Sequence, residues 1–233
     1  MRFKTIMVLD QNNVHQIQRL IPRLSEEQIY QLERFTEHIQ VWNEKINVIS
    51  RKDMDHITEH HILPSLVLAK VIPLQPGNHV LDIGTGGGFP GIPLGIVFPK
   101  ARFCLIDSIG KKVGIVSEAA KTLDLSHVRA KQIRAESLKE SFDFVTGRAV
   151  TALPTFLEWA AMRLSKTSKN PDSGVFYLKG GALEEALTTE EIEPKQVYPL
   201  SDYLDGDFYK EKYVIHFAAR DVRRFAHKRR TAR

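Results

Sequence analysis

The chain has 233 residues and a single cysteine, Cys104. One thiol forms no internal disulfide and cannot build a cysteine-based metal cluster. No apolar run approaches the length that a membrane helix needs. The first ten residues, MRFKTIMVLD, set only a handful of apolar side chains between Lys4 and Asp10, too few for the apolar segment of a secretory signal. Repeats and low-complexity linkers are also missing. These absences lead us to expect a cytoplasmic protein without a membrane partner. What is present is ordinary for a folded domain, with 42% hydrophobic and 26% charged residues, so wholesale disorder is excluded. Lysine and arginine exceed aspartate and glutamate by 33 to 28, a net charge of +5. The excess suits an anionic partner and suits simple solubility equally well.

The apolar rhythm changes once along the chain. Ser25-Glu26-Glu27-Gln28 reads as a capping box, in which a serine hydroxyl and a glutamine side chain satisfy orphan amides. Ile29, Leu32, Phe35, Ile39, Trp42, Ile46 and Ile49 then recur at three- and four-residue steps, the apolar face of one long helix. A second helix is expected from Met54 to about Ala69, bent or broken near Pro64. Residues 1–72 therefore read as a helical region. Past Pro73 and Pro76-Gly77, short β-prone runs begin: His79–Ile83, Arg102–Ile106, Val128–Ile133, Phe142–Thr146 and Val175–Leu178. Stretches of helical length lie between or after them, at 90–98, 111–123, 154–165 and 181–191. This alternation predicts a doubly wound, mostly parallel α/β sheet over residues 73–219. Lys195–Leu200 and Lys212–Phe217 have no helix between them and predict an antiparallel edge. Residues 220–233 read as a basic tail, suited to phosphate contacts or simply to solvent.

Chemistry concentrates after the first strand, in Asp82-Ile83-Gly84-Thr85-Gly86-Gly87-Gly88-Phe89-Pro90-Gly91. One frame, Gly86-x-Gly88-x-x-Gly91, matches a dinucleotide fingerprint. The other, Asp82-x-Gly84-x-Gly86-x-Gly88, resembles the first motif of the class I methyltransferases, which have a Rossmann-like fold. The second frame is favoured, because Gly84 follows the strand directly and because Pro90 and Pro93 flank Gly91 as at a helix start. Asp107 closes the second strand about twenty residues later, placed to accept ribose hydroxyls or to cap the next helix. Ala135-Glu136 follow the third strand and are placed to border an adenine. Arg148 ends the fourth strand, and Lys179-Gly180-Gly181 end the fifth. Five strand ends thus converge on one crevice.

These residues, together with Asn43-x-x-Ile46-Asn47-Val48-Ile49-Ser50 and His61-Ile62-Leu63-x-Ser65, carry a specific resemblance. Over roughly residues 25 to 220, and in motif order, the chain resembles the RsmG (GidB) family. These are bacterial enzymes that methylate guanine N7 in 16S rRNA of the small ribosomal subunit. The resemblance implies S-adenosylmethionine as cofactor, with Gly84, Phe89, Ala135, Glu136 and Arg148 in contact with it. The motif reading adds Asp82, Gly86 and Asp107. One departure is Pro64, where the family usually shows an acidic residue.

The residues also narrow the reaction. Methylation at a pyrimidine carbon needs a cysteine nucleophile, and Cys104 reads as core, mid-strand between Phe103 and Leu105. Methylation of an exocyclic amine usually uses an Asn/Asp-Pro-Pro-aromatic clamp, and this chain has Gly147-Arg148-Ala149-Val150 instead. Guanine N7 already offers a lone pair and needs no general base, so catalysis reduces to placement. Arg148 and Lys179 are the residues expected to hold the guanine or its phosphate, in an enzyme acting as a monomer. Two other readings stay open: a non-catalytic rRNA- or ribosome-binding module that keeps the fold, and a nicotinamide oxidoreductase. His56-Ile57-Thr58-Glu59-His60 matches a metalloprotease pattern, but is expected to lie in the helical region away from the crevice. Trp42 and Trp159 read as core packing.

Overall fold

The computed structural model describes residues 9–181, 183 and 192–232. Asp10 caps α1 (Gln11–Leu20) by accepting from the Asn13 amide. Ser25 opens α2 (Glu26–Asn43) with the capping box expected of it: its hydroxyl accepts from the Gln28 amide while the Gln28 side chain accepts from its own. The helix stops sooner than its periodicity predicts. Asn43 turns its Oδ1 to accept from the amides of Val48 at 2.7 Å and Ile49 at 3.0 Å. Ile46 and Ile49 therefore continue the apolar face from a turn, not from the helix. A 3-10 turn (Arg51–His56) and a π turn (Thr58–Ile62) then lead into α3 (Leu63–Val71). Pro64 stands in the first turn of α3, where its missing N–H costs nothing.

The strands are β1 (His79–Ile83), β2 (Arg102–Asp107), β3 (Val128–Gln132), β4 (Phe144–Arg148), β5 (Gly174–Gly180), β6 (Gln196–Pro199) and β7 (Lys212–Ala218). They form one sheet in the order β3-β2-β1-β4-β5-β7-β6. The first five are parallel, and β7 and β6 are antiparallel at the edge. The doubly wound sheet and its antiparallel edge thus agree with the sequence reading. The fourth strand starts two residues late, since Phe142 makes only an isolated bridge to Leu164.

Helices α4 (Gly91–Val97) and α5 (Gly110–Thr122) cover one face, and α6 (Leu153–Arg163) and α7 (Ala219–Thr231) cover the other. The helix expected at 181–191 lies outside the described residues, apart from Gly181 and Leu183. Strand residues alternate between the two apolar layers. Val80, Phe103, Leu105, Phe144 and Phe176 join the first, and Leu81, Cys104, Ile106, Val145 and Tyr177 join the second. The N-terminal helices share the first layer: Phe35 is fully buried there, which contributes about 1.5–3 kcal/mol. Polar contacts pin the same helix down, with Gln28 donating to Ile96 O at 2.7 Å and Gln31 to Leu123 O at 2.9 Å.

The basic run at 220–233 is a helix over most of its length. Val222, Phe225 and Ala226 are buried against α6 and the sheet, while Arg220, Arg224 and Arg230 face solvent. Among the described residues, no helix is long and apolar enough to cross a membrane. The strand order reverses between β1 and β4. A sheet of this topology opens a ligand crevice there, beyond the carboxyl ends of its strands.

Candidate functional site: two adjoining cavities at the carboxyl edge

The loop after β1 turns on left-handed glycines, among them Gly84 at φ +65°. Glycine is required there twice over. A side chain is strained at that φ, and a Cβ would come within 2.6 Å of Val150 Cγ1. Asp107 holds the loop from the end of β2. Its Oδ2 accepts from the Gly86 amide at 3.1 Å and its Oδ1 from the Ile109 amide at 2.9 Å. Asp82 lies deeper, 1% exposed, where its Oδ1 accepts from the Thr146 hydroxyl at 2.9 Å. Burial pushes its carboxyl up to about 6, against the pull of that hydroxyl.

Two cavities open at this end of the sheet. The smaller, about 280 Å³, brings together Gly84, Asp107, Ala135 and Glu136, residues separated by as many as 52 positions. Trp159 also lines it, half-buried and packed against the core as the sequence predicts. A carboxylate has about four acceptor positions, so Asp107 retains capacity for two hydroxyls beyond its two amides. Asp82, Gly86 and Phe89 line neither cavity. Gly86 belongs to the loop, tied to Asp107 by its amide, and buried Asp82 precedes it at the end of β1. Phe89 packs its ring 5.0 Å from that of Phe35 and 5.1 Å from that of His61, under the Arg148 guanidinium.

The larger cavity, about 520 Å³, holds Arg148 and Lys179 together with groups that sequence reasoning missed: Asp53, His60, His61 and Lys212. Arg148 donates to His60 O at 3.0 Å and to His61 Nδ1. Burial and the adjacent guanidinium pull the His61 imidazole down to about 3. It is therefore neutral near pH 7, with its Nδ1 lone pair occupied. His60 Nδ1 donates to Asp53 Oδ1 at 2.7 Å, and this bond holds the Asp53 carboxyl below its ordinary range. The His60 ring lies flat on Phe208, centroids 3.7 Å apart, and Lys212 Nζ stands 3.5 Å from the Phe208 centroid.

The metalloprotease-like motif is thus not away from the crevice, as its sequence position implied. The turns at 51–62 fold back over the sheet edge and carry His60 and His61 into the cavity. The two motif histidines, His56 and His60, stack on each other with centroids 5.0 Å apart. Cys104 is 1% exposed, and burial pushes its thiol up. Trp42 is half-buried beside the core and donates to Glu118 at 3.4 Å.

Ala149 and Val150 border both cavities. Ala149 adopts φ +50°, a conformation that costs a non-glycine residue about 1–2 kcal/mol. Strain of this kind marks positions that the surroundings force into shape. Here it bends the chain just after Arg148, so that Ala149 and Val150 line both cavities. Such an arrangement brings the contents of one cavity against the contents of the other. Two of its ionisable groups are already engaged: Asp53 is held acidic by its bond from His60, and the Nδ1 lone pair of His61 faces Arg148.

Comparison with known proteins shows the family. Residues 28–198 match the family described as rRNA small subunit methyltransferase G. Ribosomal RNA small subunit methyltransferase G of Flavobacterium psychrophilum is 46% identical over 87% of this chain and 97% of its own. That of Flavobacterium johnsoniae is 46% identical over 86% and 96%. Among solved structures, the ribosomal protein L11 methylase of Lactobacillus delbrueckii subsp. bulgaricus superposes with a TM-score of 0.51 at 14% identity. It covers 66% of this chain and 76% of its own length, a likeness of fold alone. The chain belongs to the family of rRNA small subunit methyltransferase G and is an S-adenosylmethionine-dependent methyltransferase with the class I, Rossmann-like fold.

Proposed function

We propose that this enzyme methylates N7 of a guanine in 16S rRNA of the small ribosomal subunit, acting as a cytoplasmic monomer. The observation that carries the reading is the shared Ala149–Val150 wall between two cavities of different chemistry. The smaller suits the cofactor. Gly84 leaves room for close approach, Asp107 has acceptor positions left for ribose hydroxyls, and Ala135 and Glu136 border the place of the adenine. Bound S-adenosylmethionine supplies a methyl group activated on a sulfonium. Asp82 and Gly86 support that cavity by holding its loop, and Phe89 packs under Arg148 of the larger one.

The larger cavity suits the guanine. Arg148, Lys179 and Lys212 make it electropositive, which favours a phosphate-bearing substrate. Guanine N7 has no proton to lose, and the committed states of Asp53 and His61 fit a reaction without a base. The protein's task is then orientation, worth several kcal/mol when the lone pair lies in line with the transferred methyl. The base edge is poorly reachable inside an A-form helix, so the target is an unstacked nucleotide. The solvent face of α7, with Arg220, Arg224 and Arg230, offers a separate positive surface for backbone contact.

Arg148→Ala tests the assignment. The expected result is a loss of about 100-fold or more in methyl transfer to small subunits, with S-adenosylmethionine affinity reduced far less. Full turnover in the variant would remove Arg148 from the site.

A further inference from the structure

The larger cavity places one carboxylate among basic groups, and guanine methylation, on which the following rests, gives that carboxylate a task. Asp53 is 35% exposed at its side chain, and its Oδ1 accepts from His60 Nδ1 at 2.7 Å. Its Oδ2 stands 4.0 Å from His61 Nε2, beyond hydrogen-bond reach, and has no partner among the described residues. Most of its acceptor capacity is therefore unspent. Toward a phosphate polymer this charge is unfavourable, and Arg148, Lys179 and Lys212 line the same cavity. A half-exposed anion among cations that attract RNA fits a site that reads donors on a base.

Guanine is the one RNA base that presents two adjacent N–H donors, N1–H and N2–H, on its pairing edge. Adenine and cytosine set a ring acceptor beside their amine, and uracil has a single donor between two carbonyls. A carboxylate takes both guanine donors at once and repels the lone pairs of the others. N7 lies on the opposite edge of the purine, so a guanine held this way turns N7 away from Asp53. We propose that Asp53 is a specificity-determining residue, whose carboxylate accepts N1–H and N2–H of the target guanine and leaves N7 free for the methyl.

The test pairs a protein change with a base change. The target guanosine is first located by mapping the wild-type product on small subunits. Subunits are then reconstituted with inosine, which lacks only the 2-amino group, at that position. With the wild-type enzyme, inosine should lower kcat/KM roughly 10-fold or more, a typical value for losing part of a bidentate base contact. Asp53→Asn should lower kcat/KM on guanosine subunits roughly 10- to 100-fold, with S-adenosylmethionine affinity unchanged. In that variant the inosine penalty should shrink to within about 3-fold, because the contact is already lost. A residue that merely props His60 would leave the inosine penalty equal in both enzymes, and that equality would overturn the proposal. Wild-type enzyme that accepts inosine as well as guanosine would overturn it without any variant. A wild-type product lacking N7-methylguanosine would instead overturn the methylation reading, and this assignment with it.

Discussion

Gly84→Ala is the substitution for which the structure gives the clearest magnitude. At φ +65° an alanine costs about 1–2 kcal/mol in backbone strain. Its Cβ would lie 2.6 and 2.9 Å from the two γ carbons of Val150, and overpacking of this kind costs about 1–3 kcal/mol. Alanine also restricts the unfolded chain, which offsets up to about 1 kcal/mol. The net loss is about 1–5 kcal/mol, or roughly 2–20 °C in Tm for a chain of this length. Because Val150 also lines both cavities, its displacement should weaken S-adenosylmethionine binding by about 10-fold or more. Thermal unfolding and titration calorimetry read the two effects. Val150→Ala in the same chain removes the clash and leaves the backbone strain, so the double variant should regain about 1 kcal/mol or more relative to additivity. Wild-type Tm and affinity in Gly84→Ala, or strict additivity in the cycle, would refute the contact between loop and wall.

Asp82 gives a pH signature. Its folded carboxyl titrates near 6 against an ordinary 3.8, so the folded chain binds the proton more tightly. The associated stability is present below about pH 4 and is lost as pH rises through 6. Relative to wild type, Asp82→Asn should therefore gain about 2–3 kcal/mol between pH 4 and pH 7 in urea unfolding; parallel curves would refute the burial argument. Both proteins share the opposing slopes of His61 and His216, which titrate near 3 and 4 and lose stability as pH falls below 6.5, so those cancel in the difference. For α7, replacing Arg220, Arg224 and Arg230 with alanine should leave Tm within about 2 °C and flatten the salt dependence of rRNA binding. An unchanged slope would free that face of any RNA role.

The α/β order and the glycine loop were legible because they are local. Strand ends, turn glycines and Asp107 announce themselves by spacing, and β1 lies where its apolar run predicts it. The end of α2 was hidden, because Ile46 and Ile49 keep the helical period although Asn43 has already turned the chain. Periodicity reports burial, and burial survives a turn. The larger cavity was hidden for a different reason. Asp53, His60 and His61 meet Arg148 across about 90 residues, through turns at 51–62 that no short motif encodes. Phe208 and Lys212 arrive from the antiparallel edge. The helix at the C-terminus did carry a signal: Val222, Phe225 and Ala226 stand at helical spacing, masked by the arginines between them. That packing also makes truncation a poor test of RNA binding, since it would strip apolar cover from α6 and the sheet.

The most direct test of the account is transfer of labelled methyl from S-adenosylmethionine to small ribosomal subunits from cells lacking this enzyme, followed by identification of the modified nucleoside. The expected product is N7-methylguanosine in 16S rRNA; label in any other nucleoside, or none in the RNA, would contradict the proposed reaction.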